Sequence, residues 1–190
     1  ALGRLSKTIF PDQSASETVY DAAGRVLETV QHPVNPGGTI PPTVNPLRSR
    51  YGYDAAGRRV AVTNALATED ETWTLFAYDA NGNQTRTVDT LGRTNTFVFD
   101  ALNRQTQTVF PDGTSERYGY DGLDRRVAIT NQANVVTRFG FDRLGQLTSV
   151  TNAFGASVQI VTRYAHDEVG NQTNLVDALN RTSRFEYDSM

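Results

Sequence analysis

Eight aspartates recur at regular spacing, and carboxylates repeated in this way are candidates for acid–base chemistry or for calcium ligation. They are Asp21, Asp54, Asp79, Asp100, Asp121, Asp142, Asp167 and Asp188, separated by 33, 25, 21, 21, 21, 25 and 21 residues. Calcium-binding β-rolls need a Gly-Gly-x-Gly-x-Asp pattern that places several oxygens around each ion. One carboxylate per 21 residues is too sparse, so we predict no metal site. Turn capping by the aspartate is the favoured interpretation.

Arginine follows the turn in several repeats and is the other side chain that could bind an anion or a sugar. It occurs as Arg25, Arg58, Arg104 and Arg125, whereas Asn83, Gln146 and Asn171 replace it elsewhere. No uniform basic stripe exists, and we expect each arginine to pair with the aspartate of a neighbouring strand. The chain has no cysteine and only two histidines, His32 and His166, and no nucleophile with a base is visible. We therefore predict no catalytic residue and no cofactor.

The residues around each aspartate form columns that define a structural repeat motif. An aromatic precedes the aspartate, with His166 as the exception, and a residue that tolerates a left-handed backbone follows three positions later. The motif residues are Tyr20, Asp21, Gly24, Arg25, Tyr53, Asp54, Gly57, Arg58, Tyr78, Asp79, Gly82, Phe99, Asp100, Asn103, Arg104, Tyr120, Asp121, Asp124, Arg125, Phe141, Asp142, Gly145, His166, Asp167, Gly170, Tyr187 and Asp188.

The elements that must position this motif are β-strands. Segments between turns are rich in Thr, Val and aromatics and alternate in polarity, while helical periodicity is absent. A second turn column lies ten residues after the first, at Gly92, Gly113, Asn134, Gly155 and Asn180, with Gln13 in the first repeat and Ala67 as a departure. We predict an all-β fold of tandem antiparallel hairpins of about 21 residues, each an element of one repeat array.

The aromatic residues and the insertions add detail to this array. Aromatic pairs two residues apart, such as Tyr51/Tyr53 and Phe76/Tyr78, should lie on one face and pack as a structural row. Residues 35–46 contain four of the seven prolines and predict a protruding loop. Extra residues at 68–71 predict a solvated turn, and those at 158–161 a lengthened hairpin that is packed. We expect residues 1–190 to form one continuous array, truncated at both ends.

Composition restricts the partners. The net charge is −3, Lys7 is the only lysine and the arginines are dispersed, so the chain lacks the clustered cations of a nucleic-acid binder. No stretch approaches the roughly 18 apolar residues of a membrane-spanning helix. An apolar fraction of 38% suits thin sheets with one solvated face. We predict no nucleic-acid partner and no membrane span.

The pattern Tyr-Asp-Ala-Ala-Gly-Arg at 20–25 and 53–58 resembles the YD repeat of the RHS-repeat superfamily. Looser copies lie at 78–83, 99–104 and 120–125, and the Phe-Pro-Asp-Gly turn at 110–113 is similar too. The resemblance implies a curved ribbon of hairpins that spirals into a hollow YD shell. It also implies further YD repeats of the same or a parent chain as partners, an encapsulated C-terminal toxin polypeptide, and a secreted or cell-surface bacterial location.

Two functions remain open at this point. The first is a non-catalytic structural segment of an RHS/YD shell that encloses or presents a toxin or effector region. The second is a carbohydrate- or cell-surface-binding module, with glycans as partners. The family's self-cleavage chemistry is not transferred, because the sequence contains no Asp-Pro dipeptide.

Overall fold

The computed structural model describes residues 3–33, 46–66 and 68–188, and within these ranges the chain forms strands and turns without a helix. The chain divides into two compact units, Ala1–Thr96 and Phe97–Met190. Strands are hydrogen-bonded in the order in which they follow each other in sequence, as expected for consecutive hairpins. The prediction of an all-β chain of tandem antiparallel hairpins is confirmed. The prediction of one continuous array, truncated at both ends, stays a prediction.

The first unit contains the longer and more irregular repeats. Its strands are β1 (Lys7–Ile9), β2 (Ala15–Tyr20), β3 (Val26–His32), β4 (Leu47–Tyr53), β5 (Arg59–Asn64), β6 (Thr72–Tyr78), β7 (Gln84–Asp89) and the first residues of β8 (Thr94–Phe99). Thr94 to Thr96 pair antiparallel with β7, so this part of β8 completes the unit.

The second unit contains the most regular repeats. Besides the last residues of β8, its strands are β9 (Gln105–Val109), β10 (Ser115–Tyr120), β11 (Arg126–Thr130), β12 (Val136–Phe141), β13 (Leu147–Asn152), β14 (Ile160–His166), β15 (Gln172–Val176) and β16 (Thr182–Arg184). Threonine, valine and aromatic residues dominate these strands because they fit a pleated, half-buried surface.

A β-bulge lies beside the aromatic that ends the first strand of most hairpins. Gly52 pairs with Ala61 but Tyr53 pairs with Arg59, so one residue of β5 has no partner. The same register shift occurs at Gly119/Tyr120 and Gly140/Phe141. A Cβ on Gly119 would lie 3.3 Å from the Cβ of Ala128, which explains why small residues face each other there. Such bulges bend a strand and increase its twist.

The two faces of each sheet differ, and neither is covered by a thick core. Tyr51, Tyr53, Phe76 and Tyr78 are half-buried, whereas Leu75, on the opposite face of β6, is exposed. Among the described residues, the side chains that count as buried are Ala15, Val30 and Thr108. The sheet is therefore stabilised mainly by lateral contacts between neighbouring strands.

The insertions can be compared only in part. The predicted loop at 35–46 lies outside the described residues except for Pro46, and Ala67 also lies outside them. Glu69 and Asp70 are exposed, in agreement with a solvated turn. The residues at 158–161 do lengthen the hairpin between β13 and β14, but their predicted packing is wrong. Val158 and Ile160 are 77% and 51% exposed, because they lie at or beyond the last strand pair, Asn152↔Ile160.

Candidate functional site

The motif aspartates begin tight turns, and their side chains are bound within those turns. Oδ1 of Asp54 accepts the backbone N–H of Arg58 at 2.9 Å, and Oδ2 accepts its Nε at 2.7 Å. The backbone closes the same turn, with Gly57 N donating to Asp54 O at 3.0 Å. The Oδ1 bond to the fourth residue recurs at Asp21, Asp79, Asp100, Asp121, Asp142 and Asp167. These carboxylates therefore stabilise the turns by accepting hydrogen bonds within them.

Both turn columns adopt the left-handed backbone that the sequence predicts. In the first column φ lies between +62° and +96° at Gly24, Gly57, Gly82, Asn103, Asp124, Gly145 and Gly170. In the second it is also positive at Gln13, Gly92, Gly113, Asn134, Gly155 and Asn180. Two further positive-φ residues, Ala65 and Ala153, follow β5 and β13 in the two lengthened repeats. Sequence reasoning missed them because alanine rarely adopts this conformation.

The motif arginines pair with the aspartate of their own turn, so the prediction of pairing with a neighbouring strand's aspartate is wrong for Arg25, Arg58 and Arg125 and holds for Arg104 only as an additional pair. Nε of Arg25 lies 2.6 Å from Oδ2 of Asp21, and Nε of Arg125 lies 2.7 Å from Oδ2 of Asp121. The turn brings the arginine, four residues after the aspartate, back beside it. An additional pair between turns joins Arg104 Nη1 to Asp124 Oδ1 at 2.7 Å.

The far end of each guanidinium reaches the next hairpin. Arg58 Nη1 donates to the carbonyl of Asp79 at 2.9 Å, and its Cζ lies 4.8 Å from the Tyr78 ring centroid. The ring contact recurs for Arg4/Tyr20, Arg25/Tyr53, Arg104/Tyr120 and Arg125/Phe141 at 4.8 to 4.9 Å. We call this unit the arginine clamp: a motif arginine, the aspartate of its own turn and the aromatic–aspartate pair of the next hairpin. Such stacking is favourable even at partly exposed sites.

The motif tyrosines return a second bond to the preceding hairpin. Tyr53 Oη donates to Val26 O at 2.8 Å and Tyr120 Oη to Gln105 O at 2.8 Å. Equivalent bonds join Tyr20 to Leu5, Tyr78 to Arg59 and Tyr187 to Gln172. Phe99 and Phe141 keep the ring without the hydroxyl, and half-buried His166 takes the same place opposite Gln172. Asp188 follows Tyr187 at the end of the described residues.

The turn hydrogen bonds keep the carboxylates ionised. The Arg58 side chain, followed by its backbone N–H, holds the pKa of Asp54 below its ordinary value. At Asp100 the backbone N–H of Arg104, followed by its side chain, lowers the pKa in the same direction. A general acid near neutral pH needs a raised pKa, so the lowered pKa values of Asp54 and Asp100 do not suit them to that role.

Shorter polar residues replace the arginine without forming the whole clamp. Asn83 Nδ2 donates to Asp79 Oδ2 at 2.9 Å, and Asn171 Nδ2 donates to Asp167 Oδ2 at 3.0 Å. The same turn also occurs at the other ends of the strands, where Arg93 pairs with Asp89 and Arg181 with Asp177. Both turns were predicted in the second turn column, but their Asp–Arg pairs were missed because no aromatic precedes these aspartates. The signal in the sequence was the spacing that these turns share with the first turn column: Gly or Asn three residues after the aspartate, and Arg four residues after it.

In the described residues, each unit has an open cavity on its aromatic face. The first, about 410 Å³, is lined by Tyr53, Phe76 and Tyr78, and the second, about 540 Å³, by Tyr120, Phe139 and Phe141. In the parts of the chain that the structure describes, no three His, Cys, Asp or Glu residues are grouped to hold a metal ion. His32 is half-buried, with Nε2 3.6 Å from Glu17 Oε1. Over the described ranges, no helix is long and apolar enough to cross a membrane.

The sequence matches the RHS Repeat family in four overlapping segments, 78–115, 99–135, 120–158 and 141–182, which cover more than half of the chain. Among curated proteins, none matches. The fold is similar to crystal structures of TcdB2-TccC3-Cdc42 (13% identity, TM-score 0.57) and TcdB2-TccC3 (14%, 0.55). It is also similar to a Photorhabdus luminescens Tc holotoxin pore (12%, 0.56). Each match covers 92% of this chain and 11% of the other chain, so this chain spans about a ninth of those proteins.

Proposed function

Because this chain belongs to the RHS Repeat family, we propose that it is a non-catalytic segment of the wall of a shell in a larger protein. The shell encloses or presents a toxin or effector region of the same assembly, and the protein is secreted or exposed at a bacterial surface. Its immediate partners are further YD repeats and the enclosed polypeptide. No nucleic acid takes part.

The arginine clamp is the observation that carries this proposal. Asp121 accepts the N–H of Arg125 and its Nε, and Arg125 in turn donates to the carbonyl of Asp142 and stacks on Phe141. The polar groups of the motif therefore form hydrogen bonds within the turn and to the next hairpin, and we infer that they do not serve to bind a substrate. Repeats that lean on their neighbours in this way suit a wall of many copies.

The fold similarity supports the larger setting. The similar chains are about nine times longer than this segment, and they belong to structures of TcdB2-TccC3 and of a Tc holotoxin pore. We propose that this chain occupies an equivalent place in a long repeat array.

Limited proteolysis of the parent protein tests the proposal. We expect the region outside the repeats to resist cleavage while the wall is intact, and to become sensitive when Arg104→Ala and Arg125→Ala remove two clamps. Arg143→Ala, in an exposed turn position without a clamp, is the matched control. Equal cleavage of that region with and without the repeats contradicts enclosure.

A glycan-binding module is the second candidate, and the cavity of about 540 Å³ in the second unit is the observation that favours it. Aromatic rings such as Phe139 and Phe141 offer the flat apolar surface on which sugars stack. Binding of this chain on a glycan array, lost in Phe139→Ala but kept in Phe76→Ala of the other unit, would favour the module. Absence of binding leaves the wall as the function.

A further inference from the structure

Strand register brings four arginines together on one face of the second unit. Arg117, Arg138, Arg163 and Arg184 lie on β10, β12, β14 and β16, each directly before an aromatic residue in sequence. Because side chains alternate along a strand, these arginines point away from the aromatic face. We call them the arginine row. Because each repeat contributes only one of these arginines, the sequence shows no cluster of basic residues.

The row is regular because the register repeats at each hairpin. On β11, Arg117 faces Thr130 and Arg138 faces Ala128, two residues apart. The same two-residue offset recurs on β13, at Thr151 and Ser149, and on β15, at Val176 and Asn174. Two strand spacings and two residues separate successive arginines by roughly 12 Å. The row therefore extends over roughly 35 Å of the sheet.

Within the described strands of the second unit, no carboxylate lies on the face of the row, although Glu186 lies two residues beyond Arg184, after the end of β16. Glu116 is the only acidic residue within the described strands of the second unit. It pairs with Thr108 and accepts the Tyr118 hydroxyl at 3.0 Å, which places it on the aromatic face. The remaining acidic residues of this unit lie in turns or after β16, and several of those are engaged by arginines.

The arginines of the row are accessible. All four are exposed, and within the described chain none of them forms an ion pair. Arg138 stacks on Phe154 with its Cζ 4.1 Å from the ring centroid, which orients the guanidinium and leaves its N–H groups at the edge. A guanidinium presents several N–H donors in a planar fork that matches a carboxylate.

The first unit provides a contrast at the equivalent position. Arg50 also precedes an aromatic, but there Glu28 lies directly opposite, with Oε2 3.8 Å from Arg50 Nη2. Glu28 also binds Arg48 at 2.8 Å. The chain thus pairs these arginines within its own sheet in one unit and leaves the row unpaired in the other.

We infer that the arginine row binds an extended, acidic polypeptide segment through its carboxylates. A peptide of about eleven residues spans the row, and it is narrow enough to lie along it. A nucleic-acid duplex is wider than a peptide and would extend along the strands to the turns at both ends. Its phosphates would be repelled there by aspartates such as Asp112 and Asp121. The net charge of −3 also opposes a long polyanion. This inference does not depend on the proposed enclosure of a toxin.

Fluorescence anisotropy with a labelled peptide of about twelve glutamates tests the inference on the 190-residue chain. We expect salt-sensitive binding that weakens about tenfold in the double variant Arg117→Gln/Arg163→Gln. The matched control is Arg126→Gln/Arg143→Gln, which removes the same charge from the aromatic face and a turn of the same unit. We expect the control to bind within about twofold of the unchanged chain.

Three results would overturn the inference. They are no binding of the peptide at low salt, an equal loss in the control variant, or tighter binding of a DNA duplex of the same charge by the unchanged chain. Circular dichroism of each variant separates loss of binding from loss of folding, and the row substitutions should leave the fold intact because these side chains are exposed.

Discussion

A carboxylate that accepts three hydrogen bonds in its own turn is a structural group. At Asp100 these come from the N–H groups of Leu102 and Arg104 and from Nε of Arg104, at 2.8 to 3.0 Å. The sequence predicted this capping role, because Asp before a left-handed residue is typical of tight turns. The same geometry engages the carboxylate oxygens of Asp100 in hydrogen bonds of its own turn.

Replacing such an aspartate should loosen its turn. We expect Asp100→Ala to lower the thermal unfolding midpoint by a few degrees, because two backbone N–H groups and the Arg104 side chain lose their acceptor. Leu102→Ala in the same turn is the control, since Leu102 is 66% exposed. Thermal denaturation followed by circular dichroism measures both, and equal midpoints for the two variants would refute the capping role.

The left-handed turn position makes a separate prediction. Gly82 has φ +90° and nothing within 4 Å of a Cβ, so Gly82→Ala isolates backbone strain from steric contact. We expect a loss of about 1–2 kcal/mol in the free energy of unfolding, measured by urea denaturation. Asn134→Gly, at φ 59°, is the converse control and should be neutral or slightly stabilising.

At the scale of the hairpin, the arginine clamp joins a repeat that carries the motif arginine to the next repeat. Its internal ion pair is local, but its ring contact spans residues far apart in sequence, such as Arg25 and Tyr53. The sequence identified both residues as motif members without identifying their contact. Repeats that carry Asn83 or Asn171 cap the turn with a shorter side chain, so the strength of the connection varies along the chain.

A conservative substitution separates the clamp's geometry from its charge. Arg125→Lys keeps the positive charge but cannot bind Asp121, the carbonyl of Asp142 and the Phe141 ring together. We expect a loss of about 1–2 kcal/mol in urea unfolding. Arg143→Lys, on an exposed turn residue, is the control and should change stability little. An equal loss of stability in Arg125→Lys and Arg143→Lys would contradict a specific role of the clamp.

For the whole molecule, the lowered pKa values link folding to acidity. Among the aspartates they occur at Asp12, Asp21, Asp54, Asp79, Asp89, Asp100, Asp112, Asp121, Asp167 and Asp177. The unfolded chain binds protons at these carboxylates near pH 3.9, and the folded chain binds them only below that value. The stabilisation is thus present above about pH 4 and is lost as pH falls through the folded pKa values.

Urea unfolding at several pH values measures this linkage. We expect the urea midpoint to be nearly constant from about pH 7 to pH 5 and to fall steeply below about pH 4. Asp100→Ala should show a shallower fall, because one linked carboxylate is missing. A midpoint that rises on acidification would contradict the direction of these pKa shifts.

From the strand β16 we predict that copies of this chain associate with one another. β16 pairs with β15 through Thr182, Ser183 and Arg184 and stands last in the strand order of the described chain. An exposed edge offers N–H and C=O groups to another copy. We expect concentration-dependent association of this chain in sedimentation velocity, reduced by Ser183→Lys and unchanged by Ser157→Lys in an exposed turn. A single monomeric species at every concentration would contradict the prediction.

The sequence by itself determined the features that depend on near neighbours. The 21-residue period, the turn columns at Gly57 or Asn103 and the capping aspartates could be predicted, because each involves residues within one turn. The strand class followed from alternation over a few residues. Alanine at the turn positions Ala65 and Ala153 concealed two left-handed residues, since residue type was the only signal available.

Tertiary structure alone decided which repeats touch and through which atoms. The stacking of Arg58 on Tyr78 and the bulges beside the aromatics depend on strand register. So does the arginine row, whose members lie at least 21 residues apart in sequence and on one face in the sheet. A register shifted by one residue would reverse every face, and the local sequence contains no direct record of it.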